Sequence, residues 1–182
     1  MILKTERLIL RPWTEADLEP VAAITADPLV MRHFHITRSR AQSDAWVART
    51  QAHIERTGFG IWALEAPGVA SLIGFVGLST VPEAVPCAPA VEAVWTLGSQ
   101  YWRKGYCAEA AEAAMRDGFN RQGLVEIVAF TTAGNAASQA VMRKLGMVRD
   151  IDGDFDHPAI PVGHPLAPHV LYRKPNPLGD SV

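Results

Sequence analysis

Residues 91–119, VEAVWTLGSQYWRKGYCAEAAEAAMRDGF, hold the densest chemistry in the chain. Val91 to Leu97 is an apolar, strand-like run with one carboxylate, Glu92. Gly98 and Ser99 break it, and a basic turn, Trp102-Arg103-Lys104-Gly105-Tyr106-Cys107, leads into an alanine-rich helix. A strand that passes through glycine into a helix N-terminus suits phosphate. The first N–H groups of the helix have no internal partner and carry the positive end of its dipole. Arg103 and Lys104 add full charges, while Ala108, Ala110, Ala111 and Ala114 let a sheet or a ligand come close. The spacing excludes two common loops. No GK[ST] follows as in a Walker A loop, and Gly98 and Gly105 stand too far apart for GxGxxG. The turn is therefore either a plain connection or a site for a phosphate compound held by other geometry.

The elements that must position this turn can be read in order. Residues 2–11 alternate as a first strand closed by Pro12. Thr14, with Asp17 in the capping-box position, starts a helix that buries Leu18, Val21, Ala22 and Thr25. Asp27-Pro28 opens a short helix carrying Val30, Met31 and Phe34. Ser39 caps a third, which carries Trp46, Val47 and Ile54 and stops at Gly58. Residues 59–64 and 72–78 read as a hairpin joined at Pro67-Gly68. Residues 81–90, with three prolines, read as a surface loop. Residues 124–132 form a fifth strand. Asn135 to Leu145 is a helix with Ala137, Val141 and Leu145 on one face, stopped by Gly146. A strand at 147–151, a proline-broken stretch over 152–168 and a last strand at 169–173 complete the chain. The domain is expected to span 1–175, with a loose tail over 176–182.

On these residues the chain resembles the GNAT acetyltransferase superfamily, in particular its RimJ/RimL branch of ribosomal-protein N-terminal acetyltransferases. The branch's YW-x-K-GY-A-x-EA pattern corresponds to Tyr101 to Ala110, preceded by Glu92, Trp95 and Leu97 on the strand. Its N-x-x-S-x-x-V-x-x-K-L-G-F pattern corresponds to Asn135, Ser138, Val141, Lys144, Leu145 and Gly146, with Met147 in place of Phe. TERLILRPW, Thr5 to Trp13, is similar to its opening strand. Two positions depart from the pattern: Arg103 stands where the branch has glycine, and Cys107 where it has alanine or glycine. Arg103 still offers its backbone N–H, and its guanidinium reaches toward a phosphate.

The resemblance implies an α/β (α+β) fold with a mostly antiparallel, split central sheet flanked by helices. It also implies acetyl-CoA as co-substrate, an amine as acceptor, and compatibility with a homodimer. Backbone N–H groups of Arg103, Lys104, Gly105, Tyr106, Cys107 and Ala108, beside Trp102, would hold the pyrophosphate. Trp95, Thr96 and Leu97 would pair with the pantetheine arm and supply the oxyanion donor. Asn135 would hold the pantetheine or cap its helix, and Lys144 would reach toward the nucleotide or stay solvated. Glu92 is the candidate general base, because a carboxylate on an apolar strand has a raised pKa. The competing reading is a solvent-facing glutamate. Ser138 would lie near the thioester sulfur and donate to the departing thiolate, in contrast to a plain helix-surface serine. Met142 occupies the position where many relatives carry a tyrosine, and it cannot donate a proton. Cys107 beside a helix N-terminus and two cations is expected to have a lowered pKa, with a mixed disulfide to CoA as a consequence. The preferred reading over that disulfide is a small packed residue. An acyl-CoA-binding sensor without catalysis is the alternative to the enzyme.

Composition narrows the class further. The 182 residues are 48% hydrophobic and 20% charged, with net charge −2, as expected of one globular domain without a nucleic-acid footprint. No apolar run reaches membrane-spanning length, residues 1–20 do not read as a signal peptide, and two cysteines do not make a disulfide framework. The cytoplasm is the expected compartment. His33, His35 and His53 read as surface or helix-end residues. His157, His164 and His169, near Asp152, Asp154 and Asp156, read as a loop rather than a metal site.

Overall fold

In the computed structural model, which describes residues 2–177, the opening segment is two strands rather than one. β1 (Leu3–Lys4) and β2 (Ile9–Arg11) pair antiparallel, with Leu3 opposite Leu10. Thr5 makes the turn between them. Its N–H donates to the Leu8 carbonyl at 2.9 Å, and its hydroxyl accepts from the Leu8 N–H at 2.9 Å. A threonine side chain that bonds its local backbone in this way competes with a continuous ladder.

The expected helices form where their caps predict. Thr14 and Asp17 close a capping box before α1 (Leu18–Ala26). The Asp27 carboxylate accepts from the Leu29 N–H at 2.8 Å at the start of α2 (Pro28–Met31). Ser39 and Gln42 form a second capping box for α3 (Arg40–Thr57), which ends at Gly58 with φ 78°. Arg11 ties β2 to α1 through a fork on the buried Asp17, at 2.7 and 2.8 Å, and reaches Glu65 at 2.8 Å. Burial works against the Asp17 charge, but the Arg11 and Thr14 hydrogen bonds outweigh it and hold the carboxyl below its ordinary value.

The remaining elements are β3 (Ile61–Ala66), β4 (Ala70–Thr80), β5 (Val91–Leu97), α4 (Tyr106–Asn120), β6 (Glu126–Thr132), α5 (Ala136–Lys144), β7 (Val148–Asp156) and β8 (Pro168–Pro175). The sheet runs β1-β2-β3-β4-β5-β6-β8-β7, antiparallel except for the β5–β6 pair. Period-two alternation along β5 splits its side chains between two cores. Ala93, Trp95 and Leu97 pack with α4 and α5 on one face, while Val94 packs with Trp13, Trp46 and Val47 on the other.

Three further expectations need correction. The 81–90 loop is anchored rather than superficial, because Val81 and Val85 are buried in a small cluster with Val128 and Leu171. On α5 the inward face is Ser138, Met142 and Leu145. Met142 is 1% exposed, whereas Ala137 faces solvent. β7 does not end at 151 but continues to Asp156, with its register on β8 shifting between Asp150 and Phe155. Asn176 still bonds the Val125 carbonyl at 2.8 Å, and the rest of the expected tail, residues 178–182, lies outside the described residues.

Candidate active site

β5 and β6 run parallel and meet at Glu92 opposite Val128. Beyond that point no ladder joins them, although β5 continues to Leu97 and β6 to Thr132. The outer edges are paired throughout, β5 with β4 and β6 with β8. The sheet therefore opens into a gap between two strands whose facing backbone groups lack sheet partners, and that edge can take an extended, amide-bearing chain.

The mouth of this gap is the basic turn. Gly98 donates to the Ile73 carbonyl at 3.0 Å, and Tyr101 and Trp102 close a short turn onto Gly98 and Ser99. The Trp102 indole donates to the Leu97 carbonyl at 2.9 Å, so it fixes the end of β5 rather than the phosphate side of the loop. Arg103 sits at φ 60° and Gly105 at φ 81°. The first is an unusual conformation for a residue with a side chain, and glycine is the natural occupant. Among the described residues no acceptor meets the N–H groups of residues 103–108. Those donors, at the start of a 15-residue helix, make a cradle that can receive an anion. Lys144 joins from α5: its ammonium lies 4.0 Å from where a Cβ on Gly105 would stand.

On the α4–α5 face a chain of hydrogen bonds spans the gap. The Trp95 indole of β5 donates to the Ser138 hydroxyl oxygen at 3.2 Å. The Ser138 N–H donates to the Asn135 side-chain oxygen at 3.2 Å, and the Asn135 amide donates to Thr131 of β6 at 2.9 Å. Asn135 is thus the cap of α5, with both ends of its side chain engaged. The Ser138 hydroxyl proton has no acceptor among the described residues and remains available to a group in the gap. Met142 is packed in the core and contributes no donor.

Glu92 lies on the opposite face by alternation from Ala93, on the side of Val94 and Thr96. Its carboxylate has no hydrogen-bond or ion-pair partner among the described residues, and burial pushes its pKa up to about 7. The Glu92 side chain is half-buried rather than exposed. The same face carries Thr132, whose hydroxyl meets a His33 ring nitrogen at 3.3 Å. It also carries an aromatic group in which the His157 and His169 rings lie 5.0 Å apart and Phe155 stacks on His169 at 5.8 Å. Burial lowers the pKa of both histidines, so the neutral rings predominate there. His164 serves its own turn, accepting from the Leu166 N–H at 3.1 Å. Among the described residues no three His, Cys, Asp or Glu side chains form a group that could hold a metal.

Cys107 follows its preferred reading as a packed residue and departs only from the lowered pKa. Packed against the α4 core, its thiol is pushed by burial up to about 12. Desolvation outweighs the helix terminus and the neighbouring cations, so the small packed residue describes it better than the reactive thiol.

The sequence reading missed a connection from the N-terminus to the loop. Arg7 donates to Glu109 from its backbone at 3.0 Å and from Nε at 2.7 Å, and to the Lys104 carbonyl at 3.0 Å. Thr5 donates to the same carboxylate at 2.5 Å. The only sequence signal was that both segments belong to recognisable motifs; their separation in the chain hides the contact.

Comparison with known proteins agrees with this architecture. The family described as Acetyltransferase (GNAT) domain matches residues 7–148. The uncharacterized N-acetyltransferase YoaA of Bacillus subtilis is 28% identical over 151 residues, covering 82% of this chain and 84% of its own. A GNAT-family acetyltransferase from Bacillus anthracis superposes with a TM-score of 0.80 at 26% identity, over 97% of this chain and 99% of its own. RimL, a ribosomal L7/L12 α-N-protein acetyltransferase solved with coenzyme A, shares the fold with a TM-score of 0.77 at 15% identity, over 96% of this chain and 98% of its own. The chain belongs to the GNAT acetyltransferase family as an N-acetyltransferase.

Proposed function

We propose that the protein transfers the acetyl group of acetyl-CoA to a primary amine, either a protein N-terminus or a small-molecule amine. The observation that carries this reading is the placement of Glu92 and Ser138 on opposite faces of one gap whose mouth is the anion cradle. The pyrophosphate sits on the N–H groups of residues 103–108, with Lys104 and Lys144 beside it. The pantetheine arm pairs with the free edge of Trp95 to Leu97, and the thioester lies between the two faces. The amine enters on the Glu92 face and attacks the carbonyl carbon. A carboxylate titrating near 7 takes the proton that the amine must lose, directly or through a water. A backbone N–H at the end of β5 receives the developing oxyanion. The C–S bond breaks toward α5, where the Ser138 hydroxyl hydrogen-bonds the departing thiolate. Trp95 orients that hydroxyl by occupying one of its lone pairs.

Calorimetric titration with acetyl-CoA tests the reading, using wild type and Gly105→Trp. Gly105 is exposed in the cradle at φ 81°, so the indole strains and fills it. Micromolar binding by wild type that is lost in the folded variant supports the site, and turnover with a member of an amine panel supports the transfer. Tight binding without turnover across the panel replaces the enzyme with an acyl-CoA sensor. No binding by wild type removes acetyl-CoA from the reading.

A further inference from the structure

We infer that Arg7 is a positioning residue for the anion cradle: it turns the Lys104–Gly105 peptide so that the Gly105 N–H points toward the ligand, and it screens Glu109 from the ligand's charge. The inference rests on the reading that residues 103–108 hold a pyrophosphate.

The geometry is a fork with three tines. Nη1 of Arg7 donates to the Lys104 carbonyl at 3.0 Å, Nε to Glu109 at 2.7 Å, and Nη2 reaches the same carboxylate at 2.5 Å. The guanidinium also lies over the Tyr106 ring, 4.9 Å from its centroid. A planar trans peptide points its C=O and the following N–H in opposite directions. Holding the Lys104 carbonyl toward Arg7 therefore directs the Gly105 N–H away from it, on the exposed side of the loop. Without that anchor the peptide between the two left-handed residues, Arg103 and Gly105, is free to turn its carbonyl into the cradle. Carbonyl oxygen there opposes an anion as strongly as the N–H favours it.

Glu109 supplies the second half of the argument. It stands in the first turn of α4, where it suits the helix dipole but would repel a bound pyrophosphate. Burial works against its charge, and the hydrogen bonds from Thr5 and Arg7 more than offset that burial and keep the carboxyl below its ordinary value. Arg7 supplies the compensating charge. An uncharged side chain at position 7 would leave that carboxylate beside the cradle with only the neutral Thr5 hydroxyl and the backbone N–H of residue 7 as partners.

The test measures equilibrium affinity for CoA and for pantetheine, which lacks the pyrophosphate, in wild type, Arg7→Ala and Arg7→Lys, with thermal melting alongside. Arg7→Ala is expected to weaken CoA about tenfold, equivalent to about 1.4 kcal/mol, and to leave pantetheine within about twofold. Arg7→Lys, whose ammonium keeps the charge without the fork, falls between, at about threefold for CoA. CoA affinity equal to wild type in Arg7→Ala overturns the inference and leaves the acetyl-CoA reading standing. Equal weakening of CoA and pantetheine also overturns it, because it assigns Arg7 to general stability. Should Arg7→Ala not fold, Arg7→Lys decides alone, and unchanged CoA affinity there overturns the inference. Wild type that binds no CoA overturns it together with the acetyl-CoA reading.

Discussion

Replacing Glu92 with glutamine makes one burial visible in two separate measurements. The carboxyl ordinarily titrates at 4.5, and desolvation on β5 moves it to about 7. At about 1.4 kcal/mol per pH unit, full expression of that change is about 3 kcal/mol. The half-buried side chain retains some solvent, so about 2 kcal/mol is the working figure. A raised carboxyl pKa means that the unfolded chain ionises first. Below the unfolded value the folded protein carries no penalty. The penalty grows as pH rises from 4.5 toward 7 and is constant above that. Glu92→Gln cannot ionise, so its gain over wild type in urea unfolding should be about 2 kcal/mol larger at about pH 8 than at about pH 4. If it is the general base, the same carboxylate should give wild-type kcat/KM an ascending limb centred near 7. Its loss should cost about 100-fold or more above that pH and flatten the limb. Parallel stability profiles for the two proteins would refute the buried carboxyl. Activity within a few-fold of wild type, with the same pH profile, would refute its role as base.

Ser138→Ala should lower kcat about tenfold with little change in the KM for acetyl-CoA, measured at saturating acceptor, and an unchanged kcat removes the serine from thiolate departure. Asn135→Ala removes the α5 cap and the link to Thr131, and should cost about 1 kcal/mol in urea unfolding together with a drop in kcat. Gly74 sits at φ 154°, and a Cβ there would stand 2.2 Å from the Thr96 carbonyl oxygen, so Gly74→Ala should displace the end of β5 and destabilise the fold by about 3 kcal/mol in the same assay. Cys107, pushed up to about 12, should react with iodoacetamide at about pH 8 more than 100-fold slower than a free thiol, and intact mass should show no CoA adduct after oxidative incubation with CoA.

Local rules made much of this molecule readable in advance. Asp27 before Pro28, Ser39 at a helix start and Gly58 at a helix end each act within four residues, and each stands where its chemistry predicts. The α5 cap at Asn135 was readable for the same reason. What escaped depends on neighbours far along the chain. Period-two patterning does not reveal that Thr5 will turn the backbone and face Glu109. The helix-terminus argument lowers a thiol pKa only where the thiol stays wet, and the core against which Cys107 packs is assembled from several strands. The prolines around Val81 and Val85 signal a loop correctly, yet the alternation of β6 and β8 supplies the apolar surface that buries both valines.

The one parallel pairing in the sheet has a wider consequence. Because β5, α4 and β6 follow one another without interruption and α5 comes next, the parts that the proposed function sets against the acyl donor lie in one stretch, residues 91–144, with Arg7 as the contribution from the N-terminus. The opposite face is furnished from remote ends of the chain: His33 and its loop from one side, Phe155, His157 and His169 from the other. On the proposed function, donor handling is thus nearly local in sequence, while the acceptor side draws on two distant segments. Exchanging those two segments between relatives, with Arg7 kept, should change acceptor preference more than affinity for acetyl-CoA.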